Sequence, residues 1–71
     1  MDYKISLRAA RINANLSQAE AAKELNVSRD TVSNWESGKT SPNMEKLEAI
    51  GRVYGIPYDM LNFLTANTRN A

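Results

Sequence analysis

The sequence predicts an all-α domain of five short helices, and three observations support this prediction. Apolar residues recur near helical spacing along most of the chain. Residues that cap helices precede these segments, and turn-forming residues follow them. The chain has 71 residues, enough for one domain with a small core. We therefore expect a single domain over residues 1–71, with an ordered core over residues 5–64 and a polar tail over residues 65–71.

Composition argues against several classes of function. The chain has neither cysteine nor histidine, so it lacks a thiolate nucleophile, the usual general base and the commonest metal ligand. Its eight carboxylates form no clustered catalytic motif, so we expect no enzymatic activity, no metal and no cofactor. No apolar run approaches the roughly 20 residues of a membrane span. Residues 1–10 also lack the apolar segment of a signal peptide, so we expect a cytoplasmic protein.

The first two predicted helices follow each other closely along the chain. The first covers residues 6–14 and begins at Ser6, whose side chain can cap it. The second begins at a capping box, formed by Ser17 and by Glu20 three residues later, and ends at Leu25.

The third and fourth predicted helices have equally clear limits. Ser28 caps the third helix, over residues 29–36, and Gly38 follows it. Asn43 caps the fourth helix, over residues 44–54. The second and third helices are short and about three residues apart, which is the spacing of a helix-turn-helix.

Two further positions shape the end of the domain. Gly51 lies inside the fourth helix, at a cost of about 1 kcal/mol relative to alanine, which suggests close packing there. Pro57 can open a short fifth helix over residues 58–64.

The stretch LSQAEAAKELNVSRDTVSNWESGKTSPNMEKLEAIGRVYGI carries a series of apolar, capping and turn residues at family-specific spacing. The matching positions are Leu16-Ser17-Gln18, Ala22, Leu25, Val27-Ser28, Val32-Ser33, Trp35-Glu36, Gly38, Pro42, Leu47, Ile50 and Gly55-Ile56. Through them, residues 7–64 resemble the helix-turn-helix domain of phage Cro and repressor proteins (the XRE family). The resemblance implies a compact five-helix, lambda-repressor-like domain that binds operator DNA as a dimer. The departures, at Ala21, Asn26 and Gly51, concern packing.

The third helix supplies the candidate base-contacting side chains. Val32 and Trp35 must face the core, so the polar residues near the helix start face outward. Arginine can pair with guanine, asparagine with adenine, and aspartate can accept from cytosine. The candidates are Ser28, Arg29, Asp30, Ser33 and Asn34; the family's base-contacting positions match the last four. The alternative is a solvated polar face on which Arg29 pairs with Asp30.

Phosphate contacts are expected from the segments beside that helix. Gln18 lies at the start of the second helix, where free backbone amides favour an anion. The resemblance implies phosphate contacts from Ser17, Gln18, Ser37, Lys39 and Thr40. Such contacts fix orientation without reading sequence. The alternatives are that Gln18 is only a polar helix-start residue and Lys39 only a solvated loop charge.

Two structural contacts are also expected, the first from the resemblance and the second from the residues themselves. The resemblance places Arg11 across from Glu36, close enough for an ion pair that orients the third helix; the alternative is two independent surface charges. Met60 and Phe63 have no evident internal role, so they are candidate dimer contacts. The alternative is that both help to cap the small core.

These observations predict a sequence-specific regulator of transcription that binds double-stranded DNA. We expect a repressor that occupies an inverted-repeat operator as a homodimer, with weak dimerisation in the absence of DNA, in a bacterial or phage-encoded, nucleoid-associated setting. The net charge of +1 does not by itself suggest a nucleic acid partner. Two alternatives remain open: the antitoxin of a toxin–antitoxin pair, and a protein-interaction adaptor that does not bind DNA.

Overall fold

Four α-helices make up most of the computed structural model, which describes residues 4–62. The helices are α1 (Leu7–Asn13), α2 (Gln18–Leu25), α3 (Arg29–Ser37) and α4 (Met44–Tyr54). A single 3-10 turn, Tyr58–Met60, follows α4. Two short strands, β1 (Ile5–Ser6) and β2 (Leu61–Asn62), pair in parallel, with Ile5 opposite Leu61. The prediction of an all-α domain is confirmed in part: the described residues are mostly helical, but they also contain this pair of short strands.

Side-chain caps define where the α-helices begin. Each of the four helices is preceded by a serine or asparagine whose side-chain oxygen accepts a backbone N–H of the first turn. These residues are Ser6, Ser17, Ser28 and Asn43. At α2 the capping box is complete, because Ser17 N–H also donates to Glu20 Oε1 at 2.8 Å. The hydrogen bonds from Ser17 hold the pKa of Glu20 below its usual value.

Residues in the left-handed backbone conformation follow the helices. Asn26, Gly38 and Gly55 cap α2, α3 and α4 with φ values of 59°, 84° and 73°. Asn15 adopts a φ of 63° in the turn after α1. Asparagine and glycine tolerate this conformation better than other residues, so the chain reverses direction at these positions without large strain.

The predicted five-helix count is not confirmed. Residues 58–60 form one 3-10 turn, and Leu61 is extended, with φ −86° and ψ 133°. The extended backbone of Leu61 and Asn62 pairs with β1. The backbone groups of this segment therefore find their partners in β1 and not in a further helical turn. Residues 63–71, which include Phe63 and the rest of the predicted fifth helix, lie outside the described residues.

The core lies between the four helices and is closed by β2. α2 packs against α3 and α4, and α1 contacts α3, α4 and both strands. Trp35 is 6% exposed, so it faces the core from α3 as predicted. The core cluster comprises Leu7, Ala10, Ala21, Leu25, Trp35, Leu47, Ile50, Tyr54 and Leu61.

Gly51 allows the chain after α4 to lie directly against that helix. A Cβ atom at Gly51 would be 2.8 Å from the carbonyl oxygen of Ile56 and 3.3 Å from the backbone nitrogen of Tyr58. The glycine therefore serves a close backbone approach, as its position in the sequence suggested.

Candidate nucleic-acid interface

α2 and α3 form a helix-turn-helix whose turn is held from both sides. Asn26 reverses the chain, and the N–H of Val27 donates to the carbonyl of Ala22 at 3.0 Å. From α4, Lys46 Nζ donates to the carbonyl oxygen of Leu25 at 3.1 Å. This oxygen belongs to the last turn of α2, where carbonyls lack helical partners and cations are favoured. The left-handed conformation of Asn26 and these two hydrogen bonds together fix the angle between α2 and α3.

The outward face of α3 presents four of the five candidate base-contacting side chains. Arg29 and Asp30 are exposed, and Ser33 and Asn34, one helical turn later, are half-buried. Within residues 4–62 these four side chains make no hydrogen bond, so the exposed pair Arg29 and Asp30 is not tied together. On the opposite face Val32 is 1% exposed, which anchors the helix to the core. The four polar side chains therefore project from a helix whose position is fixed by its contact with the core.

Ser28, the fifth candidate, is engaged within its own helix. Its Oγ accepts the N–H of Thr31 at 3.1 Å and lies 2.8 Å from Thr31 Oγ1. Thr31 was not among the sequence candidates, although the cap-to-third-residue spacing could have indicated this pairing. Ser28 therefore sets the start of α3, and any contact it makes with DNA must share the same hydroxyl.

The candidate phosphate contacts lie in two places, at the start of α2 and around the end of α3. Lys39 and Thr40 are exposed in the loop after α3, and their backbone N–H groups donate to the carbonyl of Asn34 at 2.9 and 3.3 Å. Ser37 Oγ donates to the same carbonyl at 3.2 Å. The loop is thus folded against the end of α3, and the hydroxyl hydrogen of Ser37 is already used.

At the start of α2 the two candidates differ in their surroundings. Ser17 is exposed and its oxygen caps α2 by accepting the N–H of Glu20 at 3.0 Å. Gln18 is half-buried, and its Nε2 donates to Glu36 Oε1 at 3.1 Å. This side-chain contact across 18 residues of sequence was not predicted, and no local pattern indicates it.

A buried ion pair joins α1 to the end of α3. Arg11 Nε donates to Glu36 Oε2 at 2.6 Å and Arg11 Nη2 donates to Glu36 Oε1 at 3.2 Å. The two side chains are only 9% and 6% exposed. Arg11 Nη1 also donates to the carbonyl of Leu16 at 2.8 Å, which ties the turn before α2 to the same group.

This pair affects the ionisation of its surroundings. The hydrogen bond to the Glu36 carboxylate raises the pKa of Arg11 above its usual value, against the effect of burial. Burial, followed by the negative charge of Glu36, raises the pKa of the Tyr54 hydroxyl to about 12. Both groups therefore keep their usual protonation near neutral pH.

Only part of the predicted dimer surface can be located. Met60 is 38% exposed, and neighbouring Tyr58 is 41% exposed. Phe63 lies outside the described residues.

A family model described as helix-turn-helix matches residues 7–61. The chain belongs to this family. It is the XRE-type helix-turn-helix family of DNA-binding transcriptional regulators, and the family predicted from the sequence is confirmed. The match includes α1 to α4 and reaches the first residue of β2, so all four α-helices and the outward face of α3 lie within it.

Three curated relatives of this helix-turn-helix chain are similar to most of its length. The HTH-type transcriptional activator BcrR of Enterococcus faecalis is 41% identical over 61 residues, which cover 86% of this chain and 30% of BcrR. The cryptic phage CTXphi transcriptional repressor RstR of Vibrio cholerae is 31% identical over 55 residues, 78% of this chain and 50% of RstR. Multiprotein-bridging factor 1c of Arabidopsis thaliana is 31% identical over 55 residues, 78% of this chain and 37% of that protein. The chain thus spans half or less of each relative.

No solved structure matches this helix-turn-helix chain at a significant level. Within residues 4–62, none of the helices is long and apolar enough to cross a membrane.

Proposed function

We propose that this chain reads a specific operator in double-stranded DNA through α3, the recognition helix, and represses transcription by occupying that site. The observation that carries the proposal is the outward face of α3. Arg29, Asp30, Ser33 and Asn34 are displayed together without hydrogen-bonded partners in residues 4–62. Such side chains have donors and acceptors that match the edges of bases in the major groove.

Phosphate contacts would orient this face. Lys39 is exposed in the loop after α3, where its ammonium group can reach a DNA strand beside the groove. Thr40 is its exposed neighbour, and Gln18 adds an amide at the start of α2. Ser37 contributes less in this proposal, because its hydroxyl already donates to the carbonyl of Asn34. The Ser17 oxygen caps α2 as an acceptor, which leaves its hydroxyl hydrogen for a phosphate.

Repression is the simpler of the two regulatory outputs. RstR is by name a repressor, whereas BcrR is by name an activator, so relatives exist on both sides. Blocking a promoter needs only occupancy of the DNA, which the face of α3 can provide. Activation would also need a surface that contacts the transcription machinery. A reporter with the selected operator placed over the promoter should lose expression when the chain is produced, whereas increased expression would reverse the proposed output.

The remaining features of the proposal follow from DNA binding. The chain acts in the cytoplasm on nucleoid DNA, as a homodimer on an inverted repeat, and without catalysis or a cofactor. Of the two residues predicted to form the dimer contact, Met60 lies within the described part of the chain, and its exposed side chain would be covered in such a dimer. Dimerisation would be weak in the absence of DNA, because a small patch buries less area than a stable interface needs.

Selection of bound sites from a random duplex library tests the proposal directly. One consensus should emerge and bind more tightly than random duplex, by a factor on the order of 10³ or more. Affinity should also fall with salt, by about 0.9 in log K for each phosphate contact per unit of log salt concentration. If the best selected duplex binds no more tightly than the starting library, the chain is not a sequence-specific regulator.

A second candidate is a protein-interaction adaptor that uses this fold without reading DNA. It is favoured by one observation, the similarity to a protein whose name describes it as a multiprotein-bridging factor. An adaptor would select no consensus from the library, and alanine at Asn34 would leave its binding to duplex unchanged. The same selection experiment therefore separates the two candidates.

A further inference from the structure

Arg11, Gln18 and Glu36 form a polar cluster where α1, α2 and α3 meet. Glu36 Oε1 accepts two hydrogen bonds, from Arg11 Nη2 at 3.2 Å and from Gln18 Nε2 at 3.1 Å. The Glu36 side chain is 6% exposed, whereas Gln18 is half-buried and reaches the surface. The amide of Gln18 is thus tied to an acceptor that is itself shielded from solvent.

This contact fixes the direction in which the amide can donate. The amide nitrogen carries two hydrogens, and one of these N–H groups donates to Glu36. The other N–H is left to a partner outside the cluster. We propose that Glu36 is a positioning residue for DNA binding, which holds the Gln18 amide so that its second N–H donates to a DNA phosphate. This inference rests on the proposed function, because it assumes that α2 begins beside the DNA backbone.

Arg11 makes this arrangement compatible with a phosphate. An isolated carboxylate next to Gln18 would repel a DNA phosphate, since like charges at short range oppose each other. The guanidinium of Arg11 contacts both oxygens of Glu36, and its positive charge compensates the negative charge of the carboxylate. Ordering the amide before DNA arrives also reduces the entropy lost on binding. The cluster therefore supplies an oriented neutral donor rather than a charged one.

Two matched double variants isolate the acceptor. Arg11→Met with Glu36→Gln keeps a carbonyl that can accept from Gln18, whereas Arg11→Met with Glu36→Met removes it while keeping an unbranched side chain of similar length. Both lack the ion pair, so a purely structural role of the pair affects them equally. Affinity for random duplex is measured by titration, with the folded fraction of each variant determined by circular dichroism.

The variant that keeps the acceptor should bind duplex more tightly than the one that lacks it, by roughly three- to tenfold, the range expected for one hydrogen bond. Adding Gln18→Ala should cost a similar factor in the first background and nothing in the second. Equal affinities of the two double variants, or an equal cost of Gln18→Ala in both, would overturn the inference. A wild-type chain that binds no duplex would instead overturn the proposed function, and the inference with it.

Side-chain relaxation in the free wild-type protein provides a test that requires no variant. Gln18 is the chain's single glutamine, so its amide signals can be distinguished by residue type. We expect an order parameter approaching that of rigid backbone, about 0.8, before DNA is added. Asn34 is the internal control, because its amide makes no hydrogen bond within residues 4–62 and should be more mobile. A Gln18 amide as mobile as that of Asn34 would contradict the inference.

Discussion

At the scale of single residues, Arg11 has an unusual position for an arginine. Its guanidinium bonds the carboxylate of Glu36 and the carbonyl of Leu16, although the side chain is only 9% exposed. Removing two charges from water is costly, and the attraction between them recovers that cost only when the geometry is good and other hydrogen bonds are made. The arrangement meets both conditions, so losing one partner should be harmful.

Arg11→Ala should lower the free energy of unfolding by about 3 kcal/mol, because it strands the buried Glu36 carboxylate. Arg8→Ala is the matched control: Arg8 is an exposed arginine of the same helix, and its loss should cost less than about 1 kcal/mol. Denaturant unfolding of both variants measures the difference. A double-mutant cycle with Glu36→Ala that returns no coupling energy would show that the pair does not stabilise the fold.

Asn34 and Lys39 should have different effects on DNA binding. Asn34→Ala should weaken binding to the selected site by about 1–3 kcal/mol and relax the preference at one base pair, because a base-edge contact is lost. Lys39→Ala, its control, should weaken binding to selected and random duplex by similar factors. Site selection with both variants measures the profiles. An unchanged profile for Asn34→Ala would rule out base reading by that side chain.

Tyr54 should make the fold sensitive to alkaline pH. Its pKa is raised from about 10 to about 12, so its contribution to stability is fully present below pH 10. Between pH 10 and pH 12 the Tyr54 hydroxyl ionises in the unfolded chain but stays protonated in the fold. The free energy of unfolding should therefore fall by on the order of 2 kcal/mol over this range. Denaturant unfolding at several pH values measures this fall. Tyr54→Phe should lack this component of the fall; an equal fall in the variant would exclude Tyr54 as its source.

At the scale of helices and strands, the parts that follow local rules were predictable from sequence. Ser17 and Glu20 form their capping box within four residues of chain, and Gly38 and Gly55 end helices by their own backbone preference. Each of these signals acts between neighbours in sequence. The starts of all four α-helices are therefore predictable from sequence.

Other elements depend on contacts between distant segments and were not predicted. Pro57 is compatible with a helix start, but Leu61 joins β1 instead, and this pairing depends on Ile5 at the other end of the fold. The bond from Lys46 to the carbonyl of Leu25 spans 21 residues and has no sequence signature. In the candidate site, the outward residues of α3 followed from helical periodicity, whereas the partner of Gln18 required three-dimensional packing.

Gly51→Ala should destabilise the domain despite the better helix propensity of alanine. The added Cβ would lie 2.8 Å from the backbone carbonyl of Ile56, which cannot move away as a flexible side chain would. The gain of about 1 kcal/mol in propensity should be outweighed by strain of about 1–3 kcal/mol. Thermal unfolding measures the balance. Gly55→Ala is the comparison, because a Cβ atom there would meet no other part of the fold within 4 Å and only the φ of +73° is unfavourable for alanine. A higher midpoint for Gly51→Ala would show that the segment after α4 is free to shift.

At the scale of the whole molecule, one recognition helix is too short to specify a unique site. It contacts only a few base pairs, and a genome offers many competing sequences. Two copies related by a two-fold axis double the readout and place their half-sites about one helical turn apart, ~34 Å.

Selected operators should therefore be inverted repeats that bind two chains. Native mass spectrometry of the complex should give two chains per duplex, and a duplex with one half-site scrambled should bind far more weakly. Met60→Lys should reduce binding to the full site more than to a single half-site, because it places a charge on the expected contact surface. Asymmetric selected sites with one chain each would exclude the dimer and leave DNA binding intact.

The pairing of β1 with β2 has a consequence for the order in which the fold can assemble. The helices meet their neighbours across short turns, whereas Ile5 meets Leu61 only after nearly the whole described chain has been folded back. Closing a longer loop costs more chain entropy, and two residue pairs of strand return little on their own. We therefore expect the helices to bring the two strands together before the pairing forms. On this view the strands join the ends of an assembled fold and do not nucleate it.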